Sequence, residues 1–429
     1  MKPRPLPAVG PRRILAAAQL VSAIGDGAYY TSSALYFTRI VGLSPTRLGL
    51  GLAVAWGIGS LAGVPLGHLA DRRGPRGVAV TLAFATAAVV ASFLVVRSFL
   101  PFLGAACLYA TAQSGLAAAR QALIGGLVPG EERTGVLARL QSTLNAGLAV
   151  GAALGGVALT VGTRTAFLAA FALTALGFLV AGLVLRRLPE VVPEAVPQAV
   201  PEAGRAGRDG PGLAVLADRR YAVVTLVNTV LLLRMPLLSL VLPLWIAERE
   251  PRLGWLGPAL FVLDTVGVTL FQVRTARAVT GLRSAVRAVR RSGAILLASC
   301  AVFAVTAAGV PVGATAVLLV AATALLVLGE MKQSAGSWQI GFDLAPADRL
   351  GQYQGFFGTG VAVARTAGPL LLTTLLLDGG APGWLLLGGI FLAAGCAMGP
   401  AVRRAERDRP WRTGPVPAGP VPAPAAAGR

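Results

Sequence analysis

A single carboxylate, Asp26, interrupts an apolar stretch near the start of the chain, in the segment SAIGDGAYYTSSALYF that covers residues 22–37. A carboxylate at the centre of a bilayer costs about 2.5 to 3.5 kcal/mol, so at such a depth it needs a function or a partner. Tyr29 and Tyr30 follow it and could form aromatic walls for an apolar or cationic ligand. Two interpretations remain open. Asp26 exchanges a coupled proton, or it balances an arginine.

Further charged residues interrupt other apolar stretches. Arg234 and Asp264 lie near the middle of consecutive apolar segments, which predicts either a structural ion pair or contacts with a substrate. Glu330 and Arg120 lie nearer the segment ends, where gate or packing contacts are expected. Arg365 could compensate either Asp26 or Glu330. The candidates for a substrate cavity are therefore Tyr29, Tyr30, Arg120, Arg234, Asp264, Glu330 and Arg365.

The composition is typical of a membrane protein. Of 429 residues, 55% are hydrophobic and 13% charged, and the mean hydropathy is +0.71. A soluble domain carries about 25% charged residues. The cysteines are Cys107, Cys300 and Cys396, which lie in separate apolar stretches without the spacing of a metal or disulfide site. Arginine far outnumbers lysine, which indicates GC-rich coding of the actinobacterial type.

Apolar segments of about 20 residues divide the chain into two sets of six. The expected spans are 14–38, 47–69, 77–96, 101–125, 136–160, 166–186, 221–246, 254–273, 292–309, 312–333, 352–376 and 383–402. The predicted organisation is a cytoplasmic N-terminus (1–13), a first six-helix bundle (14–186), a cytoplasmic linker (187–220), a second bundle (221–402) and a disordered cytoplasmic tail (403–429). The fold class is therefore all-α with twelve transmembrane helices. A weak repeat, QSTLNAGLAVGAALGG at 141–156 and QGFFGTGVAVARTAGP at 354–369, indicates that the two bundles are related.

The placement of the basic residues predicts the orientation. Of the 38 lysines and arginines, 28 fall on the side that holds both termini, six fall on the other side and four lie at membrane depth. Because cytoplasmic loops carry the excess of Lys and Arg, both termini are expected to be cytoplasmic. The net charge of +20 then reflects orientation and contact with anionic lipids, and nucleic-acid binding is not expected.

The turn GHLADRRGPRG at 67–77 carries a motif. It resembles the cytoplasmic loop signature of the major facilitator superfamily, with matches at Gly67, Leu69, Asp71, Arg72, Gly74 and Arg76. The resemblance implies a conformational gate: this loop would contact the start of the eleventh helix, near Gln352 to Gly355, and stabilise one state of an alternating-access cycle. The alternative is that the loop's charges only set the topology.

A second resemblance lies in the fifth apolar segment. GLAVGAALGG is similar to the glycine pattern of drug/proton antiporters of the superfamily, with matches at Gly147, Gly151, Gly155 and Gly156. Ala152 occupies the position at which that pattern has a proline. The small-residue spacing by itself predicts only close helix packing.

These observations predict a secondary active transporter in the cell membrane, most simply a monomer that exports a drug-like compound or metabolite in exchange for protons. An importer or uniporter of the same fold is the alternative, and a membrane receptor or scaffold is a weaker one. No cofactor or metal is expected, and the absence of clustered catalytic motifs argues against an enzyme.

Overall fold

The computed structural model describes residues 10–190 and 213–407. The predicted N-terminus (1–13), linker (187–220) and tail (403–429) therefore lie partly outside the described residues. We refer to residues 10–190 as the N-terminal half and to residues 213–407 as the C-terminal half.

The N-terminal half is built from long helices that follow one another through short turns. They are α1 (Pro11–Leu35, followed by a π-helix Tyr36–Ile40), α2 (Pro45–Arg73), α3 (Pro75–Ser92), α4 (Phe99–Leu127), α5 (Gly130–Val161) and α6 (Arg164–Leu185). Turn chemistry explains several of the boundaries. Ser44 and Thr163 cap α2 and α6 through their side chains, and Gly74, at a φ of 91°, makes the turn between α2 and α3.

The C-terminal half contains shorter pieces as well as long helices. They are α7 (Ala214–Ala217), α8 (Arg219–Leu232), a π-helix (Leu237–Val241), α9 (Leu242–Arg249), α10 (Leu256–Arg277), α11 (Leu282–Val305), α12 (Val312–Asp343), α13 (Leu350–Thr373, followed by a π-helix Thr374–Asp378) and α14 (Gly380–Arg407). Short 3-10 turns precede α10 and α13.

Within the described residues, eleven helices are long and apolar enough to cross a membrane. Together with α1, which has 25 residues but is not among the eleven, they lie at the twelve places where spans were expected. The count of twelve and the cytoplasmic location of the termini remain predictions.

Several boundaries differ from the sequence-based expectation for physical reasons. The seventh expected span, 221–246, is broken after Leu232, because Pro236 has no N–H for a regular helical hydrogen bond. Arg234 lies in this break, where its own N–H bonds the carbonyl of Leu231 at 3.5 Å. The tenth continues to Asp343 rather than ending at 333, so its last turns project beyond the apolar segment.

The glycines that flank Asp26 bring α1 close to two other helices. A Cβ atom on Gly25 would lie 2.9 Å from the Cα of Thr174 in α6, and one on Gly27 would lie 2.3 Å from the carbonyl oxygen of Leu148 in α5. Thr174 also donates its hydroxyl to the Gly25 carbonyl at 2.8 Å. With both glycines pressed against neighbouring backbones, Asp26 between them is directed toward α4.

The glycines of α5 complete this packing. A Cβ on Gly151 would lie 2.0 Å from the carbonyl oxygen of Ile24, and those on Gly147 and Gly155 would also meet α1 at 2.7 to 2.8 Å. Gly156, which the sequence grouped with them, differs, because a Cβ there meets no atom within 4 Å. The glycine motif therefore packs α5 on α1 through three of its four members.

We expect Gly151→Val to lower the melting temperature of the purified protein, because the added side chain must push α1 and α5 apart. Overpacking a close interface typically costs about 1 to 3 kcal/mol. Gly156→Val is the matched control and should melt within a few degrees of the natural protein. Equal losses in the two variants, measured by thermal unfolding in detergent, would contradict the close approach at Gly151.

Candidate functional site

A cavity of about 430 Å³ lies between the two halves. Its walls come from α1, α2, α4 and α5 on one side and from α8, α12 and α13 on the other. The polar and charged lining residues are Gln19, Asp26, Tyr30, Ser60, Gln113, Ser114, Arg120, Gln121, Asn228, Gln333, Ser334, Ser337, Gln354, Thr359 and Arg365. This cavity has the size of a small-molecule site.

Asp26 faces the cavity and is held by uncharged partners. Tyr109 donates its hydroxyl to Asp26 Oδ1 at 3.1 Å, and Gln113 Nε2 donates to the same oxygen at 3.2 Å. Gln113 also donates to the Tyr109 hydroxyl at 3.0 Å, so the three groups form a closed cluster. Among the described residues, no arginine or lysine lies within ion-pair distance of Asp26.

Two arginines line the same cavity. The Arg120 side chain donates to Gln19 Oε1, while its Nε is buried without a hydrogen-bond partner. Arg365 is an exposed residue of the cavity wall on α13. Asp26 and both arginines therefore share one cavity, and their roles there remain predictions.

The adjacent tyrosines Tyr29 and Tyr30 have different surroundings. Tyr30 lines the cavity and is 46% exposed, whereas Tyr29 is 5% exposed. Tyr29 packs in a cluster of rings with Phe93, Tyr109 and Phe171, at centroid distances of 5.2 to 6.0 Å. Tyr29 thus supports the wall from behind, through Tyr109, instead of lining it.

The expected pairing of Arg234 with Asp264 is not what the structure shows. Arg234 Nη1 lies 2.7 Å from Glu330 Oε2, and the arginine is 6% exposed. Asp264 makes no ion pair with another described residue, and its Oδ1 is buried without a hydrogen-bond partner. Arg234 sits in the break after α8, and there it faces α12, which carries Glu330, instead of α10.

A polar network connects this ion pair to the cavity wall. Arg234 Nη2 donates to Gln333 Oε1 at 2.9 Å and to Ser334 Oγ at 3.2 Å. Gln333 and Ser337 in turn donate to Asn228 Oδ1 at 2.8 and 2.6 Å. Arg234, Glu330 and Asp264 are thus outside the lining, and Gln333 and Ser334 lie between Arg234 and the cavity.

At one end of the molecule, Asp71 binds the first turn of α13. Its Oδ1 accepts from the N–H of Gly351 at 2.6 Å, and its Oδ2 accepts from the N–H of Gln352 at 2.8 Å. Arg349, the residue at the cap position of α13, makes no side-chain cap. Asp71 therefore caps α13 from the other half, where a carboxylate is also favoured by the helix dipole.

Glycines allow this contact, which we call the gate. A Cβ on Gly67 would lie 2.1 Å from the carbonyl oxygen of Gly351, and one on Gly355 would lie 2.3 Å from that of Gly63. Two arginines of the motif do not take part in this contact. Arg76 binds the Leu188 carbonyl at 2.8 Å and Glu190 at 2.5 Å, which ties the turn to the end of α6, and Arg72 is exposed.

Other contacts between the halves lie at the same end. Thr134 donates to Gln339 Oε1 at 2.5 Å, and the Arg133 guanidinium stacks over the Phe342 ring at 5.6 Å. Ser142 donates to the Thr269 carbonyl at 3.1 Å, deeper along α5. In the described residues, the hydrogen bonds that join the two halves cluster at this gate end. These contacts close the cavity at the gate end.

Uncharged polar residues supply most of the contacts that the sequence analysis missed. Tyr109 and Gln113 are four residues apart on α4, and Gln333 and Ser337 are four residues apart on α12, so each pair shares a helix face. That spacing was visible in the sequence. Charge at membrane depth does not mark such residues, because none of them is ionised.

In the part of the chain that the structure describes, no group of three or more His, Cys, Asp or Glu side chains could hold a metal ion. His68 lies at the gate, with its Nδ1 3.5 Å from Gln352 Nε2.

We expect Asp71→Asn to shift the protein toward a state that is open at the gate end. The substitution removes a charge from two hydrogen bonds to the α13 amides, and hydrogen bonds to charged groups contribute about 1.5 to 3 kcal/mol. The measurement is the rate at which a membrane-impermeant thiol reagent, applied on the gate side, labels a cysteine placed at Ser114 in the cavity wall. A rise of about tenfold or more is expected.

Asp378→Asn is the matched control, since this aspartate is exposed and follows the far end of α13. The exposed Cys396 is first replaced to remove background labelling. An unchanged labelling rate in Asp71→Asn would show that the cap does not hold the gate closed.

For the buried ion pair, Glu330→Gln should destabilise the protein more than Asp264→Asn. The first change leaves Arg234 buried without its counter-ion, which costs about 3 kcal/mol in comparable pairs. Replacing Arg234 and Glu330 together by glutamine should recover part of that loss. Thermal unfolding of the four proteins decides the point, and an Asp264→Asn variant as unstable as Glu330→Gln would make Asp264 the counter-ion.

Comparisons with known proteins agree with this arrangement. The family model of the Major Facilitator Superfamily matches residues 15–369. Among solved structures, the chain is similar to the human organic anion transporter MFSD10, at 17% identity with a TM-score of 0.67, over 91% of this chain and 100% of that one. It is also similar to a bacterial homologue of the iron transporter ferroportin, at 15% identity with a TM-score of 0.66, over 92% of this chain and 99% of that one. A third similar structure is the fucose:proton symporter FucP of E. coli, at 14% identity with a TM-score of 0.67, over 92% of this chain and 98% of that one.

No match to a curated protein sequence was found. The likeness to solved structures, at these identities, concerns the fold. The family model covers most of the chain, including the gate motif at 67–77 and the cavity-lining residue Arg365. The chain belongs to the Major Facilitator Superfamily.

Proposed function

We propose that this protein is a proton-coupled secondary transporter that exports a drug-like compound or a metabolite across the cell membrane by alternating access. The observation that carries the proposal is the position of Asp26, a cavity-facing carboxyl at mid-helix whose hydrogen-bond partners are uncharged.

Alternating access requires a site between two bodies that can separate at either end. The cavity lies between the halves and is closed at the gate end by the cap on α13 and by close glycine contacts. The hydrogen bonds of the cap can be exchanged for hydrogen bonds to water at moderate cost when the halves move apart. These features support a cycle in which the gate opens and the opposite ends of the halves close.

Coupling requires a group whose charge depends on the side to which the cavity is open. A carboxylate held in a fixed ion pair would keep its charge through the cycle. Asp26 has the hydroxyl of Tyr109 and the amide of Gln113 as partners, and a hydroxyl can either donate or accept a hydrogen bond. Asp26 can therefore stay hydrogen-bonded with or without its proton, which supports its role as the coupling site.

Export is supported by the glycine pattern of α5, which resembles that of drug/proton antiporters and packs α5 on α1 beside Asp26. A second candidate is uptake together with protons. It is favoured by Arg120 and Arg365 in the same cavity, because protonation of Asp26 would leave these cations free for a substrate. The fucose:proton symporter among the similar structures belongs to that class.

The test is transport by the purified chain in proteoliposomes with an imposed pH gradient. If one proton is exchanged for one molecule of a neutral compound, a gradient of one pH unit supports about tenfold accumulation of the compound on the acidic side. The compounds tested are a panel of drug-like molecules and metabolites. We expect the natural protein to accumulate at least one of them, and Asp26→Asn only to equilibrate it. Accumulation on the alkaline side would instead show uptake with protons.

Asp378→Asn serves as the control, because it removes an exposed carboxyl far from the cavity. If Asp26→Asn accumulates substrate as well as the natural protein, then Asp26 is not the coupling site. If no pH gradient of either sign changes the flux of any compound, proton coupling itself is refuted.

A further inference from the structure

The cavity contains an uncompensated positive charge. Its ionisable lining groups in the described residues are Asp26 and the two arginines, Arg120 and Arg365, apart from the tyrosine hydroxyl of Tyr30. Asp26 is engaged by Tyr109 and Gln113 and makes no ion pair with either arginine. A cavity with low-dielectric walls and surplus positive charge repels cations and concentrates anions.

Arg365 supplies one of the two positive charges. It lies about 22 Å along α13 from the start of that helix, near the middle of the molecule. We find no hydrogen bond or ion pair from its guanidinium to another described residue. A guanidinium at this depth is costly unless an anion or water accompanies it.

Further donors around the same cavity have no acceptor. Arg120 Nε is buried without a partner on the N-terminal side. On the C-terminal side Gln354, which is 8% exposed, has an unpartnered Nε2. These donors lie on α4 and α13, so the unsatisfied groups are contributed by both halves and border one cavity. These atoms are buried, and Gln121 Oε1, an acceptor of the same wall, is also buried without a partner, so the contact with an anion is assigned to the guanidinium groups that line the cavity.

The remaining lining is apolar and aromatic. Tyr30, Trp56, Trp338 and Phe357 present rings to the cavity, and Leu144, Leu148 and Val361 add aliphatic surface. Rings beside a charged anchor fit a ligand that has a flat apolar body and one ionised end. The volume of about 430 Å³ limits that body to a few fused or linked rings.

We propose that this cavity binds amphipathic organic anions, with a carboxylate or sulfonate on Arg365 and Arg120 and an aromatic body against the rings. The assignment rests on the proposed function, because it takes the cavity to be the substrate site. A planar guanidinium binds such groups through two parallel hydrogen bonds, so the geometry of the anion matters as well as its charge.

The test measures binding at equilibrium, with no gradient. The probes share one skeleton: 2-naphthaleneacetate, its uncharged amide, and the corresponding 2-naphthylethylammonium, with 2-naphthalenesulfonate as a second anion. Binding to the full chain in nanodiscs is followed by calorimetry. We expect each anion to bind at least about tenfold more tightly than the amide, and the ammonium to bind most weakly.

Arg365→Gln should remove this preference, so that the carboxylate and the amide bind alike, and Arg365→Lys should retain part of it. Arg252→Gln is the matched control, since that arginine is exposed and outside the cavity, and it should leave the preference unchanged. Thermal unfolding identifies any variant that fails to fold. In that event Arg120→Gln, on the other half, provides the same comparison.

The inference is overturned if the amide or the ammonium binds as tightly as the carboxylate, or if Arg365→Gln keeps the preference. It is also overturned if neither anion binds saturably below about 1 mM. These outcomes are independent of coupling. Anion binding without proton-driven transport would refute the proposed function and leave this inference standing, whereas proton-driven transport of cations alone would do the reverse.

Discussion

The arrangement of the whole molecule depends on one interaction, the cap that Asp71 places on the first turn of α13. A helix begins with N–H groups that have no partner within the helix, and here the acceptor is supplied by the opposite half of the protein. The cap therefore forms only when the two halves are in contact at the gate end. The glycine contacts of Gly67 and Gly351 bring the backbones close enough for the carboxylate to reach. The same contacts close one end of the cavity in this structure.

Backbone proximity also determines what Asp26 can do. Gly25 and Gly27 press α1 against α6 and α5, and the side chain between them has only the direction of α4 and the cavity available. Its uncharged partners leave the two arginines of the cavity without a fixed counter-ion. The chemistry of the site thus follows from helix packing at two residues that carry no functional group.

Much of this arrangement could be predicted from sequence. Hydropathy located the apolar helices, the gate motif identified Asp71 and its contact near Gln352, and charges at membrane depth marked Asp26, Arg120 and Arg365. The ion pair could not be predicted in the same way. Depth along consecutive helices favoured Asp264 for Arg234, but the helix break at Pro236 changes the direction in which Arg234 points, and Glu330 becomes its partner. It was equally impossible to predict from the sequence which of Tyr29 and Tyr30 lines the cavity. Adjacent residues on a helix face different surroundings, and the rotation of α1 is set by its contacts with α5 and α6.

The helix break has a consequence for the backbone beside the cavity. Proline at 236 offers no N–H, so the carbonyl of Leu232, a residue of the cavity wall, has no donor one turn further along the chain. A main-chain oxygen of this kind cannot be altered by substituting its own side chain, and it accepts only from groups that carry hydrogen. Pro236 thus removes one regular hydrogen bond from the backbone beside the cavity wall, and substitution of the Leu232 side chain would not restore it.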